Sequence, residues 1–286
     1  MVSDSARYLR PTELSTALAS LSAAPRVVLA GGTDLYATGV PVPDRMRQAV
    51  LDITAIERLR GIRIDPTAVI IGACTTWAEL RDAELPVWFR ALKQSAAQVG
   101  GEQVQNVGTV AGNLCNASPA ADGVPPLLAL SARVELGSAH AVRTVALQDF
   151  ILGPRRTACA PEELVLSIHV PQRSVNARSA FFKLGSRSYL VISIATLAAT
   201  IDFDAGGRIS YAGLAVGACA ASAQSLCSIE TRLIGLDRAA ARNLPIPQDI
   251  PELSPIDDIR GSATYRREAV STLVRRALRE LCAAAT

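Results

Sequence analysis

Between Val104 and Leu130 the sequence reads VQNVGTVAGNLCNASPAADGVPPLLAL, a run of small, hydroxyl and amide side chains with no residue positively charged at neutral pH. Gly108, Gly112 and Gly123 can reach backbone angles that a Cβ disfavours. Thr109, Asn113, Asn116 and Ser118 add short donors and acceptors. Such a stretch lets main-chain N–H groups close on an oxyanion, because no bulk holds the ligand away. Besides the thiol of Cys115, Asp122 is its only ionisable group. A carboxylate is a poor phosphate neighbour but a good acceptor for ribose or ribityl hydroxyls. The residue types point to a segment that wraps a sugar-phosphate cofactor. A second candidate is RVVLAGGTDL at 26–35, where a short buried strand breaks into the pair Gly31-Gly32 and Thr33 and Asp34 stand ready to cap a short helix.

The pattern around these loops excludes the commonest nucleotide sites. AGGTDL lacks the G-x-G-x-x-G of a Rossmann turn, and no G-x-x-x-x-G-K-[ST] occurs. Two small-residue loops far apart in sequence are either two subdomains gripping one long cofactor or a pair of ordinary turns. Cysteines 74, 115, 159, 219, 227 and 282 are scattered without a C-x-x-C pair, so they suit neither zinc nor an iron–sulfur cluster. Reduced thiols in a cytoplasmic protein are the expected state. A formal charge of +3 is too small for a nucleic-acid binder. The N-terminal MVSDSARYLRPTEL has no apolar core for a signal peptide, and no run approaches a membrane span.

The elements that must position the loops follow from periodicity. Leu14, Ala17, Leu18 and Leu21 have helical spacing after Pro11, with Thr12 as the expected cap. Residues 48–53 and 68–76 read as strands, Thr76 as the start of a helix carrying Trp77 and Leu80, and 86–99 as a longer helix. RVELGS and AVRTVAL suggest a hairpin, and LVLSIHVP at 164–171 a strand that closes the first region. The polar segment 172–178 reads as a boundary. Beyond it, AFFKLGSR (180–187) and ISIATLAATIDFD (192–204) lead into AGGRISYAGLAVGA (205–218), the last two reading as a hairpin across Asp204–Gly207; 222–236 suggests a helix, and the proline-rich 243–258 an extended linker. Tyr265, Ala269, Leu273, Ala277 and Leu281 form the stripe of a terminal helix, with Arg266, Arg267, Arg275 and Arg279 off it. At 286 residues, two or three domains are expected.

Taken together, AGGTDL at 30–35 and NVGTVAGNLCNASPAADGVPPLLAL at 106–130 resemble the FAD-binding, or medium, subunit of the molybdenum hydroxylases, the family of xanthine dehydrogenase and aerobic CO dehydrogenase. The likeness continues through EELVLSIHVP (162–171) and FFKLGSR (181–187) to DDIRGSATYRREAVSTLVRRAL (257–278), in family order over nearly the whole chain. It implies an α+β fold: an FAD-binding domain of the PCMH/VAO type over 1–173, with subdomains at about 1–55 and 56–173, then a CO-dehydrogenase-flavoprotein-type C-terminal domain over 177–283.

By the same resemblance, Leu29, Ala30, Gly31, Gly32, Thr33, Asp34 and Leu35, with Thr109, Val110, Ala111, Gly112 and Asn113, supply main-chain and hydroxyl donors to the FAD diphosphate. Asp122 matches an aspartate that accepts from a cofactor hydroxyl, and Val99 and Leu166 match positions that touch the cofactor. Lys183 matches a lysine near the flavin ring, where a cation favours the anionic reduced form. Departures are Ala111 where the family has a second glycine, Gln105 where arginine is common, and Val191 where an acidic residue often stands. His140 and His169 lie outside the cofactor loops, and Cys115 reads as a small packed side chain, so non-covalent FAD is expected.

The resemblance further implies partners: a large subunit holding the molybdopterin cofactor and a small one holding two [2Fe–2S] clusters, assembled as a dimer of heterotrimers. This chain would accept electrons from the clusters and pass them to an external acceptor, chemistry that belongs to the flavin and needs no general base or nucleophile. Two other readings remain at this stage, a free-standing FAD oxidase and an assembly module that kept the fold without the cofactor.

Overall fold

The computed structural model describes residues 7–37 and 49–283. Its first unit is a small parallel sheet. Strands β1 (Tyr8–Leu9) and β2 (Val27–Leu29) flank β3 (Val50–Asp52), and helix α1 (Leu14–Ala23) buries Ala17, Leu18 and Leu21. The helix starts later than its spacing suggests: Glu13, not Thr12, occupies the N-cap, and no side chain caps it. Residues 33–36 form a turn, not the short helix expected after Asp34. Gln48, where the third strand was expected to begin, lies outside the described residues.

The second unit is an antiparallel sheet in the order β4-β5-β10-β6-β7. Its strands are β4 (Ile62–Ile64), β5 (Ala68–Gly72), β6 (Arg133–Gly137), β7 (Val142–Ala146) and β10 (Leu164–Pro171). One face is covered by α2 (Trp77–Asp82), α3 (Arg90–Ala96), α5 (Val110–Asn116) and α6 (Val124–Ala129), whose Trp77, Leu92, Leu114 and Leu127 share a core with Val134 and Ile168. A reciprocal Thr76–Glu79 capping box starts α2, the Glu79 N–H donating to Thr76 and the Thr76 N–H to Glu79. Helix α4 (Glu102–Val107) follows α3, and the long helix expected over 86–99 is a 3-10 turn at Val87–Phe89, capped by Pro86, that runs directly into α3.

The small-residue stretch differs most from the expectation of a loop. It folds largely into α4, α5 and α6, because Thr109 caps α5 by accepting the Gly112 N–H at 3.0 Å and Pro125 and Pro126 sit in the first turn of α6. Helix α7 (Leu147–Phe150) and the hairpin β8 (Ile151–Gly153) with β9 (Arg156–Thr157) connect the sheet back to β10.

The third unit is an antiparallel sheet of β11 (Arg178–Leu184), β12 (Ala195–Phe203), β13 (Ile209–Gly217) and β14 (Gln224–Ser225). Every residue of β12 is buried, since α3 and α6 pack on one face and α8 (Cys227–Leu233) and α10 (Ala263–Leu281) on the other. Helix α9 (Arg238–Arg242) completes that outer layer. A Cβ on Gly213 would fall 2.1 Å from the Ala129 carbonyl, so glycine is what lets α6 lie this close to the sheet. The helix expected over 222–236 is shorter, because residues 224–225 pair with β13 instead.

Arg266, expected on the outer face of α10, is buried at 3% exposure. Its guanidinium donates to the carbonyls of Ile194 at 3.0 Å and Ala218 at 2.5 Å and pairs with Asp258 at 2.7 Å, so charge and three acceptors are satisfied together. The Arg260 backbone N–H, and then Arg266, hold the Asp258 carboxyl at about 2. A carboxyl depressed in the folded state adds stability that is present above its unfolded pKa and is lost as pH falls through its folded pKa. Stability should therefore fall between about pH 4 and about pH 2, and Asp258→Asn should flatten that limb of a denaturant-midpoint-against-pH curve. Arg266→Met, which strands two buried carbonyls, is expected to cost about 3 kcal/mol in chemical unfolding.

Candidate functional site

The first and second units face each other across a cleft of about 650 Å³, within the range of roughly 300–1,000 Å³ common for cofactor sites. One wall is the turn after β2, from Leu29 to Leu35, and the other is the first turns of α5. The walls meet at Gly31, where a Cβ would lie 2.0 Å from the Val107 carbonyl oxygen and 2.8 Å from Gly108 Cα. No other residue type permits that approach. Gly123 lies outside the lining, but a Cβ there would strike the indole of Trp77, itself a cleft residue, at 2.3 Å.

The cleft carries donors without partners. Among the described residues no hydrogen bond takes up the amide N–H groups of Gly31, Gly32, Thr33 and Leu35 on one wall, or of Thr109 and Ala111 on the other. Asn113 Oδ1 is buried and likewise has no partner. Thr109 and Ala111 are buried, Gly31, Gly32 and Leu35 half-buried and Thr33 exposed, so free main-chain donors line both walls from the core to the mouth and fit an extended anionic ligand lying between them.

Of the residues singled out in the sequence, Leu29–Leu35, Val99, Thr109, Ala111, Gly112 and Asn113 line this cleft. Val110 does not, being wholly buried in the main core. Leu166 turns away into the core of the first unit and edges a separate recess of about 270 Å³, whereas its neighbours Leu164 and Val165 line the cleft. Alternation along the strand puts Val165 on the opposite face from Leu166, whereas Leu164 shares the core of Leu166 and still reaches the cleft at the start of the strand.

Asp122 and Lys183 stand apart from the cleft lining. They form an ion pair at 2.6 Å with both side chains nearly buried. Ser193 donates to the other Asp122 oxygen at 2.6 Å, and Lys183 also donates to the Gln98 carbonyl at 3.3 Å. Gln105, standing where arginine was noted as common, is buried between helices, accepting from Arg81 at 2.7 Å and donating to the Ala97 carbonyl at 3.2 Å. Val191 packs beside Gly185, and Tyr189 is exposed.

A third wall was not anticipated. The segment from Arg155 to Val165 contributes Arg155, Thr157, Cys159, Ala160, Pro161 and Glu163, and α5 adds Cys115 and Asn116. The hydrogen-bonded Arg143 guanidinium, at 2.7 and 2.8 Å, holds the Glu163 carboxyl below its usual range. Burial pushes the Cys159 thiol up to about 11, and the close protein surroundings of Cys115 raise its thiol too, although its side chain opens on the cleft. Neither is a ready nucleophile. Nothing in residue type marks this wall, because it depends on where the β8–β9 hairpin returns in space.

Small-residue walls, main-chain donors and a groove between a parallel and an antiparallel unit define a protein that grips a dinucleotide-sized cofactor. Comparison with known proteins specifies it. Residues 4–173 match the FAD binding domain in molybdopterin dehydrogenase, and 180–281 match the CO dehydrogenase flavoprotein C-terminal domain. The chain is 31% identical to the xanthine dehydrogenase FAD-binding subunit of Escherichia coli O157:H7, covering 99% of this chain and 98% of that one. It is 30% identical to the nicotinate dehydrogenase FAD-subunit of Eubacterium barkeri, over 86% and 84%. A chain of reconstituted CO dehydrogenase from Oligotropha carboxidovorans superposes with a TM-score of 0.82 at 27% identity, covering 100% of both. The chain belongs to the FAD-binding subunits of the molybdopterin dehydrogenases, and is thus an oxidoreductase subunit. No helix among the described residues is long and apolar enough to cross a membrane.

The contact at Gly31 sets a test. Gly31→Ala must push the turn off Val107, and is expected to weaken FAD binding about tenfold or more, as overpacking typically costs about 1–3 kcal/mol. Titration of the flavin-free chain with FAD, followed by flavin fluorescence, measures it. Lys183→Met should instead lower folding stability by about 3 kcal/mol, because it leaves a buried carboxylate without its cation.

Proposed function

We propose that this chain is the FAD-containing electron-transfer subunit of a heteromeric molybdenum hydroxylase. In that assembly a small subunit with [2Fe–2S] clusters delivers electrons, a large molybdopterin subunit carries out the hydroxylation, and an external carrier takes the electrons away. The reading includes a medium-subunit place in a dimer of heterotrimers, a cytoplasmic location, and a division into an FAD-binding domain at 1–173 and a C-terminal domain at 177–283. Its support is the paired set of unpartnered amide N–H groups facing one cleft, in a chain whose relatives are named as FAD subunits of dehydrogenases.

In this reading Gly31, Gly32 and Thr33 donate main-chain hydrogen bonds to one side of the diphosphate, and Thr109 and Ala111 to the other. Asn113 Oδ1, buried and unpartnered, accepts from a cofactor hydroxyl. Leu29, Val99 and Val165 give apolar contact that excludes water from the groove. Bound FAD supplies the redox chemistry, taking electrons one at a time and releasing a pair. Lys183 and Asp122, locked together at 2.6 Å, fix the C-terminal sheet against the glycine-rich stretch and put a buried cation beside the second unit. The methyl of Ala111 narrows one wall, and at 3% exposure it is absorbed largely by the core.

The chain purified with its partners should be yellow, and acid precipitation should release the flavin into the supernatant as free FAD. Anaerobic reduction by the substrate of the large subunit should reach the flavin only when the small iron–sulfur subunit is present. Autonomous reduction by a substrate added to the single chain would favour a free-standing oxidase. Protein that stays colourless when supplied with FAD and its partners would leave an assembly module.

A further inference from the structure

Two non-glycine residues with left-handed backbone meet at the edge of the cleft. Ala117, the C-cap of α5, has φ +46°, and Arg155, in the turn between β8 and β9, has φ +54°. The Arg155 N–H donates to the Ala117 carbonyl at 3.0 Å, so each holds the other in place. The turn runs Gly153-Pro154-Arg155-Arg156, with Gly153 paired to Arg156 across the hairpin. A turn with proline first and a positive φ second normally takes glycine or asparagine there. Arginine in that position is strained, and the strain is held by the hairpin pairing and by the Ala117 contact.

The guanidinium spans the cleft mouth. Arg155 reaches Asp34, on the turn of the first unit, at 3.2 and 3.5 Å, and Asn116, on α5 of the second unit, at 3.0 Å. All three residues line the cleft. Among the described residues, it joins with one side chain the two walls whose free amides face each other. The pair is open to solvent, with side-chain exposures of 58% for Arg155 and 41% for Asp34, so it can break and re-form without disturbing the core.

We infer that Arg155 is a positioning residue that closes the two walls over the bound cofactor and sets how slowly FAD leaves. It rests on the FAD reading above and deepens it. Its guanidinium acts through Asp34 and Asn116, and the hairpin serves as the strap that carries it. Closure belongs to the hydrogen bonds across the mouth, while affinity for the diphosphate belongs to the amides beneath.

The test uses the full chain loaded with FAD, with flavin dissociation followed by fluorescence after dilution into an excess of an apoflavoprotein acceptor. Arg155→Gly removes the bridge and relieves the backbone, so FAD should leave about three to five times faster, while the denaturation midpoint of the flavin-free chain stays level or rises. Wild-type dissociation should quicken with salt, and that of the variant should not. In an Asp34→Asn background the same substitution should lose most of its effect. Unchanged dissociation in Arg155→Gly overturns the strap and leaves the FAD reading intact. A fall in the midpoint of the flavin-free variant assigns the arginine to folding instead, and an undiminished effect in the Asp34→Asn background makes it a direct cofactor contact. Wild-type chain that binds no FAD overturns both readings.

Discussion

The structure turns on a contact between two pieces of main chain, Gly31 against the carbonyl of Val107. With a Cβ 2.0 Å from that oxygen the turn after β2 could not rest on the end of α4, and the groove between the first two units would have another width. The donors the groove offers an anion are mostly main-chain N–H groups, and amide donors act only at hydrogen-bond distance. Their strength therefore depends on how closely two backbones approach, which an absent side chain decides.

The C-terminal unit bears on the same groove from behind. Its β11 and β12 share the core of the second unit through Phe181 and Ala198, and its Lys183 enters the glycine-rich stretch to reach Asp122. Ser95 and Ser193 close the shell around that aspartate, one at its carbonyl and one at its carboxylate. A buried charge pair held by this many partners is costly to disturb and so fixes orientation. Helices α3 and α6 thus lie clamped between two sheets, in one core with Val110, Ala111 and Leu114 of the wall helix α5, and the C-terminal unit braces that wall through them.

Much of this could be read from residues alone. The hairpin of β6 and β7, the buried strand 164–171, the capped start at Thr76 and the two small-residue walls all follow from local pattern. Periodicity and capping act over a few residues, and the chain obeys them. The stretch 104–130 departs from that local rule, since a run of small polar residues reads as loop but Thr109 and two prolines start helices packed on a sheet. Arg266 shows the same limit, since an arginine beside an apolar stripe looks exposed until the carbonyls of Ile194 and Ala218 are found waiting for it.

By itself, then, the sequence determined the residue types that can lie close to an anion and the resemblance that names a flavin subunit, because glycines, caps and alternation are local properties. Tertiary structure decided that Leu166 faces a core while Val165 faces the cleft, that Asp122 is engaged by Lys183, and that Arg155 bridges the mouth to Asp34. Each of those pairings joins residues distant in the chain or depends on which face of a strand is covered. Such contacts exist only once the units have packed, and no local pattern encodes them.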